Sequence, residues 1–247
     1  MNDRAIIYRM FIEERVEEFN AFREKHPDLP IVLNRKEPEL YSLNLRGINL
    51  RGANLRGLYM LGLELQGAIL DESDLSGAKF HSCSFSRASM RGVKAYRAIF
   101  QSSMFIETNL ASADLTRAQI YNCMFLSSCL RGAIFKKTLM KNVSFTQAEM
   151  EGSDFSKHRG KDVSFVLARL QGANLSSSSL SQACFHLANI ARADFSKAYL
   201  TDVRLEKAKG IRLANFNNTA LERVHFFKRQ LSKKIMRTAN IHKIVME

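Results

Sequence analysis

The chain has 247 residues, a formal net charge of +13 at pH 7 and a sequence pI near 9.8. This length suits one elongated domain with a cap at each end, and no stretch is long and apolar enough to be predicted to cross a bilayer. The positive charge favours acidic partners, which include nucleic acid, an anionic membrane surface and an acidic protein.

Residues 1–39 are predicted to form an N-terminal helical cap. The helix runs from Asp3 to about Lys25, and Pro27 and Pro30 end it. Its apolar residues recur at helical spacing and would form a stripe on one face: Ile7, Phe11, Ile12, Val16, Phe19 and Phe22. Such a stripe is expected to pack against the rest of the molecule.

A strict period of five residues dominates the chain from Leu40 to Leu205. Every fifth position is Leu, Ile, Met or Phe in 32 of 34 cases, and only Ala95 and Gly160 break the series. A period of five fits neither the roughly 3.6-residue period of a helix nor the roughly 2-residue period of a strand. The chain is therefore predicted to be an array of repeats.

The residues before each large apolar residue point to a known family. Two positions earlier stands a small residue, most often alanine, and Asn or Asp often follows it, as in Ala53-Asn54-Leu55. This A-(D/N)-L-x-x unit resembles the pentapeptide-repeat family over residues 40–226. The resemblance implies an all-β solenoid, a right-handed quadrilateral β-helix in which four units make one square coil.

The sequence supports the implied coil of 20 residues. One series of central residues, taken 20 apart, contains six consecutive phenylalanines that would stack in the core: Phe85, Phe105, Phe125, Phe145, Phe165 and Phe185. The neighbouring series, from Leu50 to Ile190, contains no aromatic residue. Another coil length would mix these two classes. We therefore expect about eight coils, spaced about 4.8 Å apart.

Two irregularities interrupt the array. At residues 157–162 the central apolar residue is replaced by Gly160, while Phe155 and Phe165 stay in step. This segment is predicted to be either a basic knuckle that projects toward a partner or a degenerate unit that the array tolerates. After Leu205 the register slips by one residue, which predicts a small bulge at residues 207–210.

Residues 227–247 are predicted to form a basic C-terminal helix. Two sets of residues recur along it at near-helical spacing: Phe227, Leu231, Ile235, Thr238, His242 and Val245 on one side, with Lys228, Arg229, Lys233, Lys234, Arg237 and Lys243 beside them. A solenoid needs caps because its terminal coils expose unpaired backbone groups. The helix is expected to be such a cap, and a homodimer contact and a membrane-surface patch are the alternatives.

One wall of the predicted solenoid carries a basic face. Its members are Arg56, Lys94, Arg97, Arg117, Lys136, Lys137, Lys157 and Lys197, interleaved with Asp74, Asp114, Asp154 and Asp194. The favoured interpretation is a solvated surface, in which the Asp side chains accept bonds from backbone N–H groups of turns. The alternative is an anion-binding surface, although only Tyr96 offers a stacking platform for nucleic-acid bases.

An apolar patch is predicted on the adjacent pair of walls. Its outward-facing members are Ile99, Met104, Ile106, Tyr121, Met124, Leu126 and Leu139. Contiguous exposed apolar residues usually mark an interaction surface, and Met and Tyr are common in adaptable interfaces. The patch is therefore predicted either to bind a partner or to be covered by a terminal helix of the same chain.

The sequence offers no constellation for catalysis, for a cofactor or for a metal. The six histidines are scattered without metal-ligand spacing, and the four cysteines form no C-x-x-C pair. The glycines from Gly47 to Gly67 follow the five-residue period and so belong to coil turns. A packed solenoid also lacks a cleft that could desolvate a catalytic pair. The protein is predicted not to be an enzyme.

Three functions remain open. The leading prediction is a protein-binding scaffold of the bacterial cytoplasm, or an effector delivered into a host cell, since the acidic N-terminus lacks a signal peptide. The second is an electrostatic binder of nucleic acid or an anionic membrane. The third, an interaction with DNA gyrase or another topoisomerase, is implied by the family alone. Gyrase-binding members are thought to mimic DNA with an acidic rod, whereas this chain is basic.

Overall fold

The computed structural model describes residues 3–33, 40–227, 230 and 233–246. Two helices come first, α1 (Asp3–Ile12) and α2 (Val16–Lys25). The strands are β1 (Leu40–Tyr41), β2 (Tyr59–Leu61), β3 (Lys79–His81), β4 (Ile99–Gln101), β5 (Gln119–Met124), β6 (Leu139–Ser144), β7 (Arg159–Ser164), β8 (Ser179–Ser181), β9 (Tyr199–Thr201), β10 (Ala220–Phe226) and β11 (Asn240–Met246). A 3-10 turn (Ile211–Leu213) precedes β10, and helix α3 (Lys233–Thr238) precedes β11.

The strands form one parallel sheet in sequence order from β1 to β11. This sheet is centred on wall A of a quadrilateral β-helix, and β5, β6, β7 and β10 continue past the corner onto the next wall. Partners are 20 residues apart, as in Leu40 with Met60. Isolated parallel bridges with the same spacing build the other three walls. Wall B is centred on Leu45, Leu65 and their successors, wall C on Leu50 and Leu70, and wall D on Leu55 and Leu75. The predicted fold class is confirmed, with about ten turns rather than eight.

Each five-residue unit alternates inward and outward positions in a fixed way. The central residue and the small residue two positions earlier are buried, as are Leu55 and Ala53. The second residue after the centre turns the corner with a positive φ, for example +60° at Arg117. Backbone bonds then join successive coils: the Leu50 N–H donates to the Ile69 carbonyl at 2.7 Å.

The six predicted core phenylalanines form one continuous ladder under wall B. Successive rings are stacked with centroids 4.4–5.4 Å apart from Phe85 to Phe185. Other pairs, such as Phe135 and Phe145, meet edge to face at 5.7 Å. Each such aromatic contact adds about 0.5–1.5 kcal/mol beyond the area that it buries. The ladder therefore contributes strongly to the stability of the central coils.

The N-terminal segment forms two helices rather than the single predicted helix. Glu14 has a φ of +56°, which ends α1 and redirects the chain into α2. Helix α2 then covers the first coil with side-chain bonds. The Asn20 amide donates to the Gly47 carbonyl at 3.0 Å, and its oxygen accepts from the Asn49 N–H at 2.8 Å. Asn20 thus replaces the neighbouring coil that is missing at this end.

The predicted bulge is present and depends on Gly210. Partners shift from 20 to 21 residues apart after it, as in Asp194 with Asn215. Gly210 has a φ of +73°, and a Cβ atom there would lie 2.5 Å from the Cβ of Ala191 and 2.7 Å from its backbone. Only glycine fits this approach without displacing the adjacent coil.

We expect Gly210→Ala to lower the free energy of unfolding by about 2 kcal/mol or more, because it adds overpacking to the strain of a positive φ. Gly172→Ala is the matched control, since Gly172 has a φ of +67° but open space around its Cβ position. It should cost only about 1 kcal/mol. Denaturant unfolding of both variants measures the difference, and equal losses would show that the contact with Ala191 is unimportant.

The C-terminal prediction of one basic helix across residues 227–247 was wrong. Helix α3 spans only Lys233–Thr238, and β11 follows it and pairs in parallel with β10. The reason is the open edge of β10 and of Thr219 just before it, where backbone groups need partners: the Thr219 carbonyl accepts from the Asn240 N–H at 2.8 Å. Lys228, Arg229 and Leu231 lie outside the described residues.

Residues 157–162 form a regular unit of the wall, so of the two alternatives the projecting knuckle was wrong. Arg159 and Gly160 pair in register with Leu139 and Met140. The imidazole of His158, at the inward position that is usually alanine, is fully buried, and its Nδ1 lies 2.7 Å from the Phe155 carbonyl oxygen. The large and small residues have exchanged places, and the ring fills the space that Gly160 leaves.

Candidate interaction surfaces

Ion pairs between neighbouring coils neutralise much of wall C. Asp71 lies between Arg51 and Arg91, at 3.3 and 2.9 Å. Farther along, Arg131 and Arg169 both pair with Glu149 and Glu151. Burial alone would raise the pKa of Asp71, but hydrogen bonds from Ser89 and Arg91 outweigh it and hold the pKa below its usual value. These charges are therefore part of the wall's own structure.

The predicted basic face lies on wall D and at its corner with wall A. Its aspartates bond the turns as predicted: Asp114 Oδ1 accepts from the Thr116 N–H at 2.9 Å, and Asp74, Asp154 and Asp194 repeat this contact. Arg56 pairs with Asp74 at 2.9 Å. The basic face therefore stays a predicted binding surface. The aspartates between its eight basic residues stabilise the turns of their own coils.

Wall A adds basic residues to this surface that the sequence analysis did not assign to it. Lys141, Arg159 and Lys161 point outward from β6 and β7 and are exposed. Together with five members of the basic face they form what we call the basic corner: Arg97, Arg117, Lys136, Lys137, Lys141, Lys157, Arg159 and Lys161. The coil of 20 residues pairs Lys141 with Lys161 and Leu139 with Arg159 on this wall.

The predicted apolar patch divides between two walls. Met104, Ile106, Met124 and Leu126 lie together on wall B, with Met104 and Met124 in adjacent coils, and we call these four the wall B patch. Ile99, Tyr121 and Leu139 lie on wall A, where Gln119 separates Ile99 from Leu139. The seven residues therefore form two surfaces, one on each side of the corner between wall A and wall B.

The wall B patch is exposed to solvent in the described part of the chain. Met104 and Met124 are 37% and 40% exposed. Helix α2 contacts the first coil through Asn20 and Arg23, several coils from the patch. The described residues therefore do not support the alternative in which a terminal helix covers the patch.

The described residues offer few groups that could act in catalysis or bind a metal ion. Burial raises the pKa of the Cys83 and Cys123 thiols to about 11, so both are protonated at neutral pH. No group of three or more His, Cys, Asp or Glu side chains in the described ranges is arranged to hold a metal ion. None of the helices described is long and apolar enough to span a membrane.

Comparison with known proteins agrees with this architecture of stacked five-residue units. The family model of the pentapeptide repeat region matches residues 78–155 and 138–213, and that of the pentapeptide repeats (8 copies) matches residues 40–71. The chain belongs to the pentapeptide repeat family, whose members are generally structural or interaction proteins. No curated protein matches the sequence significantly.

Solved structures of other proteins are similar to this chain to different degrees. HetL, a pentapeptide repeat protein involved in heterocyst differentiation regulation in the cyanobacterium Nostoc sp., superposes with a TM-score of 0.66 at 21% identity, covering 84% of this chain and 87% of HetL. Full-length QnrB1, a plasmid-mediated fluoroquinolone resistance protein, gives a TM-score of 0.39 at 18% identity, covering 81% of this chain and 98% of QnrB1. At these identities the likeness to HetL shows the fold alone.

Proposed function

We propose that the protein is a non-enzymatic scaffold that binds another protein through the wall B patch. The observation that supports this most directly is the pair Met104 and Met124, exposed side by side with Ile106 and Leu126 beside them. Burying such side chains against a partner contributes roughly 25 cal/mol per Å² of apolar surface. The proposal places the scaffold in the bacterial cytoplasm or, as an effector, in a host cell.

We expect Met124→Asp to abolish partner binding while the fold is kept. Asp114 and Asp154 occupy the equivalent position on wall D and bond their own turns, so aspartate is compatible with this site. The measurement is a pull-down from lysate, treated with nuclease and washed at low and then high salt. A partner that survives both washes and is lost with Met124→Asp supports the proposal.

Ser164→Asp is the matched control for this experiment. Ser164 occupies the same outward position on wall B two coils farther along and also faces its own turn. Binding should survive this change with little loss. If Met124→Asp leaves every salt-resistant partner bound, the wall B patch is not the binding surface.

The second candidate function is electrostatic binding of nucleic acid or an anionic membrane. The observation in its favour is the basic corner, for which no carboxylate within the described ranges lies at ion-pair distance. Binding that added salt removes completely would favour this candidate. A topoisomerase role has only family membership behind it, and the basic charge opposes it. A homodimer, if formed at the C-terminal end, would have to use β11 and α3 in place of the predicted long helix.

A further inference from the structure

The basic corner differs from the other charged parts of the rod because its cations are unpaired. Elsewhere arginines meet carboxylates across coils, as in Arg46 with Glu64 and Arg87 with Glu107. Around the corner the nearby Asp114 and Asp154 instead bond the turn N–H groups of Thr116 and Ser156. Within the described chain, none of the eight corner cations forms an ion pair. The corner therefore presents positive charge that no carboxylate of the described chain neutralises at ion-pair distance, although Arg97 and Arg117 also contact Tyr96.

The shape of the corner selects among anionic partners. Lys136 points from wall D, whereas Lys141 and Lys161 point from wall A. Between them lies a column of corner cations about 4.8 Å apart, one in each coil: Arg97, Arg117, Lys137 and Lys157. A flat bilayer or a straight duplex can contact only one of these walls at a time. A flexible anionic chain can follow the corner and reach both walls.

The aromatic residues at the corner are poorly placed for binding single-stranded nucleic acid. Arg97 covers the Tyr96 ring, with its guanidinium carbon 5.1 Å from the ring centroid. Arg117 Nη1 donates to the Tyr96 hydroxyl at 3.1 Å. Proteins that bind single strands without sequence preference use open aromatic faces on which bases stack. Tyr121, which pairs in register with Lys141 on wall A, is half-buried and donates its hydroxyl to Gln119 Oε1 at 3.1 Å. Within the described chain Tyr96 and Tyr121 are therefore already engaged.

An apolar side chain lies among the cations. Leu139 is 40% exposed and lines a shallow groove of about 350 Å³ together with Arg117, Lys137, Lys157 and Arg159. A phosphate backbone would gain little from Leu139. A polypeptide with carboxylates and an apolar side chain would satisfy both the charges and the leucine.

We propose that the basic corner binds an extended acidic segment of a partner protein, with an apolar residue of that segment packed on Leu139. This inference rests on the proposed function, because it assumes that the rod binds a protein. It adds a second contact surface to the wall B patch. It also specifies the segment that binds there, which is acidic and carries an apolar residue.

The fold itself supplies substitutions that remove the charges without disturbing the wall. In the next coil Ser177, Ser179 and Ser181 occupy the positions equivalent to Lys157, Arg159 and Lys161. The corner variant is therefore Lys157→Ser, Arg159→Ser and Lys161→Ser combined. Leu139→Ser likewise reproduces Ser179, which occupies the equivalent position on wall A two coils farther along.

A control variant removes the same charge from elsewhere on the rod. Arg192, Lys207 and Lys209 are exposed, and serine occupies the equivalent positions in other coils at Ser112, Ser127 and Ser89. The combined change to serine at these three sites lowers the net charge equally. Thermal unfolding of each variant confirms that the rod is intact before binding is compared.

The probes are fluorescein-labelled peptides measured by fluorescence anisotropy at low salt: a Glu-Glu-Leu repeat and a Glu-only peptide of equal charge. We expect the corner variant to weaken binding of both peptides about tenfold, and the control variant to change it less than about threefold. Leu139→Ser should weaken binding of the leucine-containing peptide alone. These three results together support the inference.

Other outcomes overturn it. Equal losses in the corner and control variants would mean that net charge alone attracts the peptides. Tighter binding of an oligothymidylate, a DNA duplex or phosphatidylserine vesicles at matched charge would assign the corner to nucleic acid or membrane. Because the peptides do not require Met124, binding of the peptides by the Met124→Asp variant separates failure of this inference from failure of the wall B patch.

Discussion

Leucine at position 160 will destabilise the protein severely, and alanine at position 158 will rescue it. A Cβ atom on Gly160 would already lie 3.0 Å from Leu180 Cδ2, 3.0 Å from Val163 Cγ2 and 3.3 Å from His158 Nε2. A complete leucine side chain must therefore displace the imidazole. We expect Gly160→Leu to lower the free energy of unfolding by about 3 kcal/mol or more.

His158→Ala should cost about 2–4 kcal/mol alone, because it leaves a cavity beneath the wall. The double variant restores the usual arrangement, with a small residue at 158 and a large one at 160. It should be more stable than either single variant and close to the wild type. Denaturant unfolding of the four proteins gives the coupling energy. Additive losses would show that the two positions do not share one space.

The stability of the folded state will depend on pH through the same histidine. Complete burial lowers the pKa of His158 to about 4 from its usual 6.5, although the hydrogen bond to the Phe155 carbonyl opposes the shift. The unfolded chain therefore binds a proton at a higher pH than the folded chain does. The stability that the neutral His158 contributes is fully present above about pH 6.5. It is lost as the pH falls toward 4, and the loss is about 3 kcal/mol in total.

The variant that combines His158→Ala and Gly160→Leu is the control for this pH dependence. Paired carboxylates such as Asp71 also destabilise the fold when they become protonated, and they do so in both proteins. The difference between the two unfolding curves across pH 4–6.5 therefore isolates His158. Parallel curves would mean that the buried imidazole is not the titrating group.

The periodic part of the structure could be predicted from the sequence because every unit repeats the same physical requirement. Residues 20 apart share one environment, so the ladder from Phe85 to Phe185 could be recognised by its composition alone. The same period assigned the seven residues of the apolar patch to an adjacent pair of walls, and the structure has three of them on wall A and four on wall B. Whether this patch binds a partner stays a prediction.

The ends and the irregular unit could not be predicted because they follow no repeat. Residues 240–246 have a spacing compatible with a helix, and only the open edge of β10 favours a strand there. Glu14 breaks the N-terminal helix through a backbone conformation that the apolar stripe does not reveal. The pair His158 and Gly160 looked like a defect because each residue, taken alone, violates the pattern, whereas together they conserve volume.

The alternating charges of wall C have a consequence for folding fidelity. In the first coils the apolar interior distinguishes one coil from the next only weakly, since large apolar residues occupy equivalent buried positions in each, as Leu50, Leu70 and Met90 do. If the chain looped out the coil that contains Asp71, Arg51 would face Arg91, and two like charges would replace two ion pairs. The ion pairs on wall C thus help to specify which coil stacks on which, because a structure that skips this coil loses them.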